Sequence, residues 1–189
     1  MLDLSRVDNT WTLFLDRDGV LNVEKEASYV FDYSEFVFLP GVKDSLKQLS
    51  ELFDAIILVT NQRGIGKGLM TDEDLALIHE QMLNEIKQSG GRIDSIYYCS
   101  SLDDNHEDRK PNPGMAFRAQ KRFPSIEMGK SIMVGNNLSD MSFGKNAGMY
   151  TVHVRTTRPD ITSPHPLIDL SCKDLPEFTQ MIVEARQQT

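Results

Sequence analysis

Five apolar runs punctuate this chain, and each is followed by a stretch with helical spacing. The runs are TLFLD (12–16), AIILVTN (55–61), SIYYCSS (95–101), SIMVGNN (131–137) and YTVHV (150–154). A strand that is apolar on successive residues is buried on both faces, which is the condition of a parallel sheet covered by helices. Between the runs, Val42, Leu46, Leu49 and Leu52 recur at helical spacing within 41–53, and Leu75, Ile78, Met82 and Ile86 do so after Thr71. Thr71 with Asp74 has the pattern of a capping box. Asn112 and Pro113 read as the cap and first residue of a helix reaching Phe123, Gly148 as the C-terminal cap of a short helix, and 168–171 as an edge strand before a helix over 175–185. This alternation predicts an α/β fold: a Rossmann-like three-layer α/β/α sandwich on a mainly parallel sheet. No internal repeat or linker divides the chain, so residues 1–189 read as one domain.

Charge narrows the function. The formal net charge is −8, against the basic surface that nucleic-acid binding requires. No apolar run approaches the roughly 20 residues of a membrane span, and the opening MLDLSRVDNTW is too polar and acidic for a signal peptide. The two cysteines, Cys99 and Cys172, read as reduced thiols. The expectation is a cytoplasmic protein, a monomer or weak homo-oligomer, with no nucleic-acid or membrane partner.

In doubly wound folds ligands bind beyond the carboxyl ends of the strands, and there the polar residues gather. Asp16 and Asp18 follow the first strand. Thr60, Asn61 and Gln62 close the second, and Asn136, Asn137 and Asp140 the fourth. Lys110 precedes the third long helix. Clustered carboxylates suit a hard cation such as Mg²⁺. With metal and lysine offsetting the repulsion between anions, a carboxylate can attack phosphorus. A second carboxylate two residues on can protonate the leaving oxygen and then activate water. Alone, the Asp-x-Asp-Gly of 16–19 reads equally well as a turn; the other three clusters favour a site. RGIGKG (63–68) lacks the earlier Gly and the Ser or Thr that a nucleotide phosphate loop needs, and reads as a flexible loop. His79 reads as a helix-face residue, and His106, His153 and His165 fall in no pattern.

DRDGVLN, VTNQRGIGKG, RKPNPGM and VGNNLSDM resemble, in order and spacing, the four motifs of the haloacid dehalogenase superfamily of phosphatases, in particular the branch of heptose-bisphosphate and histidinol-phosphate phosphatases. The resemblance covers residues 11–155. It implies Asp16 as nucleophile and Asp18 as general acid/base whose backbone carbonyl also ligates Mg²⁺. Thr60 would bind the phosphoryl group, and Lys110 would tie nucleophile to phosphate. Asn61, Gln62, Arg63, Arg109 and Asn137 are candidate substrate contacts, and residues 24–29 fall where the family carries a mobile flap. The metal set is Asp16, Asp18, Asn136 and Asp140.

Two departures stand out. The fourth motif ordinarily reads Gly-Asp, with the aspartate on the metal, but here it is Gly135-Asn136. Asn136 offers oxygen without charge, so weaker metal binding is expected, with Asp140 as the compensating group. The branch also carries a zinc loop of three cysteines and one histidine. Here that loop holds only Cys99 and His106, so no structural zinc is expected. The intervals from Asp18 to Thr60 and from Thr60 to Lys110 are too short for a cap domain. The reading is an Mg²⁺-dependent phosphatase of a small phosphorylated metabolite acting through an aspartyl-phosphate. Its first substrate is a sugar bisphosphate such as heptose 1,7-bisphosphate. The alternatives are histidinol phosphate, or a binding or regulatory module that lost turnover through Asn136.

Overall fold

A computed structural model describes residues 2–187. Met1, which heads the acidic N-terminal stretch, and Gln188 and Thr189, which end the 1–189 unit, lie outside the described residues. Six strands form one sheet in the order β3-β2-β1-β4-β5-β6: β1 (Thr12–Leu15), β2 (Ala55–Asn61), β3 (Ser95–Cys99), β4 (Ser131–Gly135), β5 (Tyr150–Val154) and β6 (Leu170–Cys172). Every neighbouring pair runs parallel. The apolar runs therefore form an all-parallel sheet, and the α/β expectation holds in its stronger form.

Alternation along β1 shows how one strand serves two layers. Leu13 and Leu15 face a core shared with α1 (Val42–Leu52), α3 (Asp72–Gln88) and α6 (Leu175–Gln187). Phe14 faces a second core with α4 (Gly114–Arg122) and α5 (Leu138–Ala147). Leu13, Phe14 and Leu15 are all fully buried, at roughly 1.5–3 kcal/mol per large apolar side chain. β1 and β4 are adjacent although α1–α4, β2 and β3 separate them in sequence. Strand order thus reverses beside β1, which opens a crevice between β1 and β4.

The helix signals resolve in detail. Thr71 and Asp74 form the capping box of α3, with Thr71 Oγ1 accepting from the Asp74 amide at 3.1 Å and Asp74 Oδ2 from the Thr71 amide at 2.8 Å. Gly148 caps α5 with φ +86°. Two expectations need correction. The helix after the lysine motif is capped by Pro113, not Asn112, because the Asn112 amide turns back to donate to the carbonyls of Asp104 and His106. The stretch read as a flexible loop contains a one-turn helix, α2 (Arg63–Gly66), laid so close on the end of β3 that a Cβ on Gly66 would come within 2.2 Å of the Ser100 carbonyl. Among the described residues no separate cap domain is evident; the long β1–α1 connection arches over the sheet end and carries a short 3-10 turn at Tyr33–Glu35.

Candidate active site

A cavity of about 170 Å³ opens over the carboxyl ends of β1, β2 and β4. Asp16 stands one residue past β1, its amide still donating to the Val134 carbonyl of β4 at 3.0 Å, so the sheet ladder itself fixes where the carboxylate stands. Gly19, at φ +80°, turns the chain back; a Cβ there would meet Asn136 Nδ2 at 2.1 Å. That near contact packs the loop bearing Asp18 directly against the end of β4.

Lys110 is the electrostatic centre. Its side chain is 2% exposed, and its Nζ donates to Asp16 Oδ1 at 2.8 Å, Asp140 Oδ1 at 2.7 Å and the Val59 carbonyl at 3.0 Å. Burial works against its charge, but Asp140 and Asp16 outweigh burial and hold the ammonium above the usual lysine range. Burial pushes Asp16 up to about 7, against the pull of Lys110; Asp140 adds to the rise. Asn61 aligns the lysine from behind, its Oδ1 accepting from the Lys110 amide and its Nδ2 donating to the Lys110 carbonyl, both at 3.1 Å.

Asp18 is held differently. Arg17, fully buried, grips it through Nη2 at 2.9 and 3.0 Å, while Asn22 Nδ2 donates at 3.0 Å and Gln62 Nε2 at 3.1 Å. Burial alone would raise its pKa; Arg17 and these hydrogen bonds together bring it below the ordinary aspartate value. Two carboxylates two residues apart therefore have opposite surroundings. One is paired with a lysine and pushed up; the other is gripped by an arginine and held down.

The sequence candidates divide accordingly. Asp16, Asp18, Thr60, Asn61, Lys110, Asn136, Asn137 and Asp140 all line the cavity. Gln62 does not; it is buried and its amide joins Asp18 to Thr60 Oγ1 at 2.9 Å. Arg63 and Arg109 also stand outside the lining, drawn to Asp104 Oδ1 at 3.7 and 2.9 Å. Asn137 is the N-cap of α5, with Asp140 closing the box through Oδ2. Asp140 is thus committed on both oxygens, one to Lys110 and one to a backbone amide. Glu24, Lys25, Ser28 and Tyr29 reach the cavity from the flap segment. His79 is corrected from helix-face residue to buried partner of Arg17, with Nε2 3.3 Å from Nη1. Arg17 carried a signal, a basic residue between two acids, but that it grips Asp18 and not Asp16 could not be read without the fold.

An Mg²⁺ ion fits the donors. Asp16 Oδ2 and the Asp18 carbonyl accept no hydrogen bond among the described residues, and Asn136 lines the same cavity. Among the described residues, no three His, Cys, Asp or Glu side chains gather as a metal cluster, in keeping with a mixed set of carboxylate, backbone carbonyl and carboxamide. Cys99 Sγ lies 3.7 Å from His106 Nδ1, and burial raises its pKa.

The reversed strand order, the paired carboxylates past β1 and the lysine bridging to α5 define a phosphatase of the haloacid dehalogenase superfamily. Residues 11–159 match the family described as Polynucleotide kinase 3 phosphatase, and the chain belongs to that family. It is 33% identical to a D-glycero-alpha-D-manno-heptose-1,7-bisphosphate 7-phosphatase of Mycobacterium bovis over 96% of each chain. With the D-glycero-beta-D-manno-heptose-1,7-bisphosphate 7-phosphatase of Yersinia pestis it shares 38% over 78% of this chain and 81% of the other. The D,D-heptose 1,7-bisphosphate phosphatase of B. bronchiseptica, solved with magnesium and phosphate, superposes with a TM-score of 0.84 at 29% identity. That match covers 92% of this chain and 98% of the other.

Proposed function

We propose that this chain is an Mg²⁺-dependent phosphatase that removes one phosphate from a sugar bisphosphate, heptose 1,7-bisphosphate foremost, with Asp16 as nucleophile. The observation that carries the reading is the position of Lys110 Nζ, within hydrogen-bond reach of both Asp16 and Asp140 at the crevice mouth. A buried ammonium beside a carboxylate lets an incoming phosphoryl group share its charge, which lowers the repulsion between two anions. Asp16 would form the bond to phosphorus with one carboxylate oxygen and turn the other to the Mg²⁺. Asp18, two residues on, would protonate the departing sugar oxygen and then take a proton from water. Thr60, whose hydroxyl can donate once Gln62 has donated to it, would hold a phosphoryl oxygen. Asp16, the Asp18 carbonyl and Asn136 would hold the Mg²⁺, which when bound neutralises charge on the transferring group. The relatives named for heptose bisphosphates support the substrate class.

The test is phosphate release by wild-type protein and Asp16→Asn from heptose 1,7-bisphosphate, histidinol phosphate and p-nitrophenyl phosphate with Mg²⁺. Wild-type protein should prefer the bisphosphate, and the variant should lose at least about 1,000-fold in turnover. Wild-type turnover by the variant would remove Asp16 from its role; a preference for histidinol phosphate would overturn the substrate.

A further inference from the structure

Position 136 follows β4 at the cavity, where the superfamily motif supplies a carboxylate, yet here it is an amide. The amide has a defined way round. Asn136 Nδ2 donates to Glu24 Oε2 at 2.8 Å and to Thr157 Oγ1 at 2.6 Å. A carboxylate only accepts hydrogen bonds, so the atom facing Glu24 must be the NH₂, and Oδ1 is turned the opposite way. A carboxylate at position 136 would oppose that of Glu24 at hydrogen-bond distance, and the two would repel. The amide at 136 and the acid at 24 are therefore a matched pair. Its surroundings are built to hold it. The backbone at Gly19 packs so closely that a Cβ would lie 2.1 Å from Asn136 Nδ2 and 3.2 Å from Glu24 Oε2. Thr156 Oγ1 donates to the Gly19 carbonyl at 2.5 Å, fixing the same turn from just past β5. Asp140, the compensating group expected from the sequence, has both oxygens occupied by Lys110 and the Asn137 amide.

We propose that Glu24 carries the negative charge of the cation site that residue 136 has given up, so that the flap rather than the sheet supplies it. This rests on the Mg²⁺-dependent reading above. Glu24 reaches the cavity that holds Asp16 and is exposed on its outer side, so its charge comes from the β1–α1 connection and not from the sheet.

The test is Mg²⁺ binding measured directly by calorimetry, with no substrate, on wild-type protein, Glu24→Gln, Asn136→Asp and the double variant. Gln keeps an oxygen to accept from Asn136 and removes only the charge, so a merely structural role for Glu24 would leave affinity unchanged. Expected is a loss of 10-fold or more in Glu24→Gln with an unchanged melting temperature in the absence of metal. In the exchanged pair, Glu24→Gln with Asn136→Asp, affinity should return to within about threefold of wild type. Wild-type affinity in Glu24→Gln, or a double variant no tighter than Glu24→Gln, would overturn the inference and leave the phosphatase reading intact. Wild-type protein that binds no Mg²⁺ would overturn both.

Discussion

Asp18 has four hydrogen bonds from three neighbours within 3.1 Å, and Arg17 supplies two of them. Such a carboxylate stays ionised at neutral pH, which is the form that takes a proton from water. Donating a proton to a leaving group asks for the opposite, a carboxyl whose pKa is raised. In the proposed reaction the two halves would therefore differ in what they need from Arg17: its grip suits the water step, and departure of the alcohol would need it loosened. Gln62 tests whether this bracing matters. Its amide joins Asp18 to Thr60 and does not face the cavity. Gln62→Ala should lower kcat about 10- to 100-fold, the worth of a hydrogen bond to a charged group. KM should stay within about twofold of wild type. A rise in KM with kcat intact would return Gln62 to the role of substrate contact that its sequence position suggested.

At the scale of elements, α3 does more than cover the sheet. Its His79 is buried against Arg17, so the helix braces the arginine that grips Asp18. Burial first, and then the neighbouring guanidinium, lower His79 to about 3. The neutral ring accepts from Arg17 through Nε2. Between about pH 6.5 and 3 the unfolded chain binds a proton at His79 that the folded chain refuses, so stability is complete above 6.5 and falls as pH falls. The slope approaches about 1.4 kcal/mol per pH unit. In His79→Gln, which keeps an acceptor for Arg17, the difference in urea unfolding free energy from wild type should shrink across this window as pH falls; a constant difference would place the titration elsewhere. His79 also marks the limit of what the sequence shows. The strands were legible because parallel sheets demand unbroken apolar runs, and the capping box of Thr71 because its partners are three residues apart. Asp16 and Thr60 were legible because they stand at strand ends, and Lys110 because it sits just before a helix. The aims of Gln62 and His79 were not, since Gln62 reaches Asp18 from the end of β2 and His79 reaches Arg17 from α3, and no local spacing records that. Asn112 failed for the same reason: its amide serves a loop eight residues back and not the helix that follows.

Across the whole molecule, one ammonium ties together the two sides of the crevice. Lys110 touches Asp16 past β1, the Val59 carbonyl on β2 and Asp140 on α5. Strand order reverses here, so few backbone bonds cross this point except those of β1 with β4. Lys110→Met keeps the stem's apolar packing and removes the charge, leaving Asp16 and the fully buried Asp140 without their cation. Breaking a buried pair from one side costs about 3–5 kcal/mol, a fall in melting temperature on the order of 10 °C for a chain of this length. The fold already carries a net charge of −8, so added salt of any kind eases some long-range repulsion. The local account makes a narrower claim: MgCl₂ should recover more of the lost stability than NaCl at equal ionic strength, because only a divalent ion held at Asp16 replaces the missing charge where it is needed. Turnover should not return with it, since in the proposed reaction the Lys110 ammonium itself faces the transferring phosphoryl group. Equal recovery in the two salts, or a melting temperature like that of wild type, would show that the crevice is held closed by packing and not by this charge.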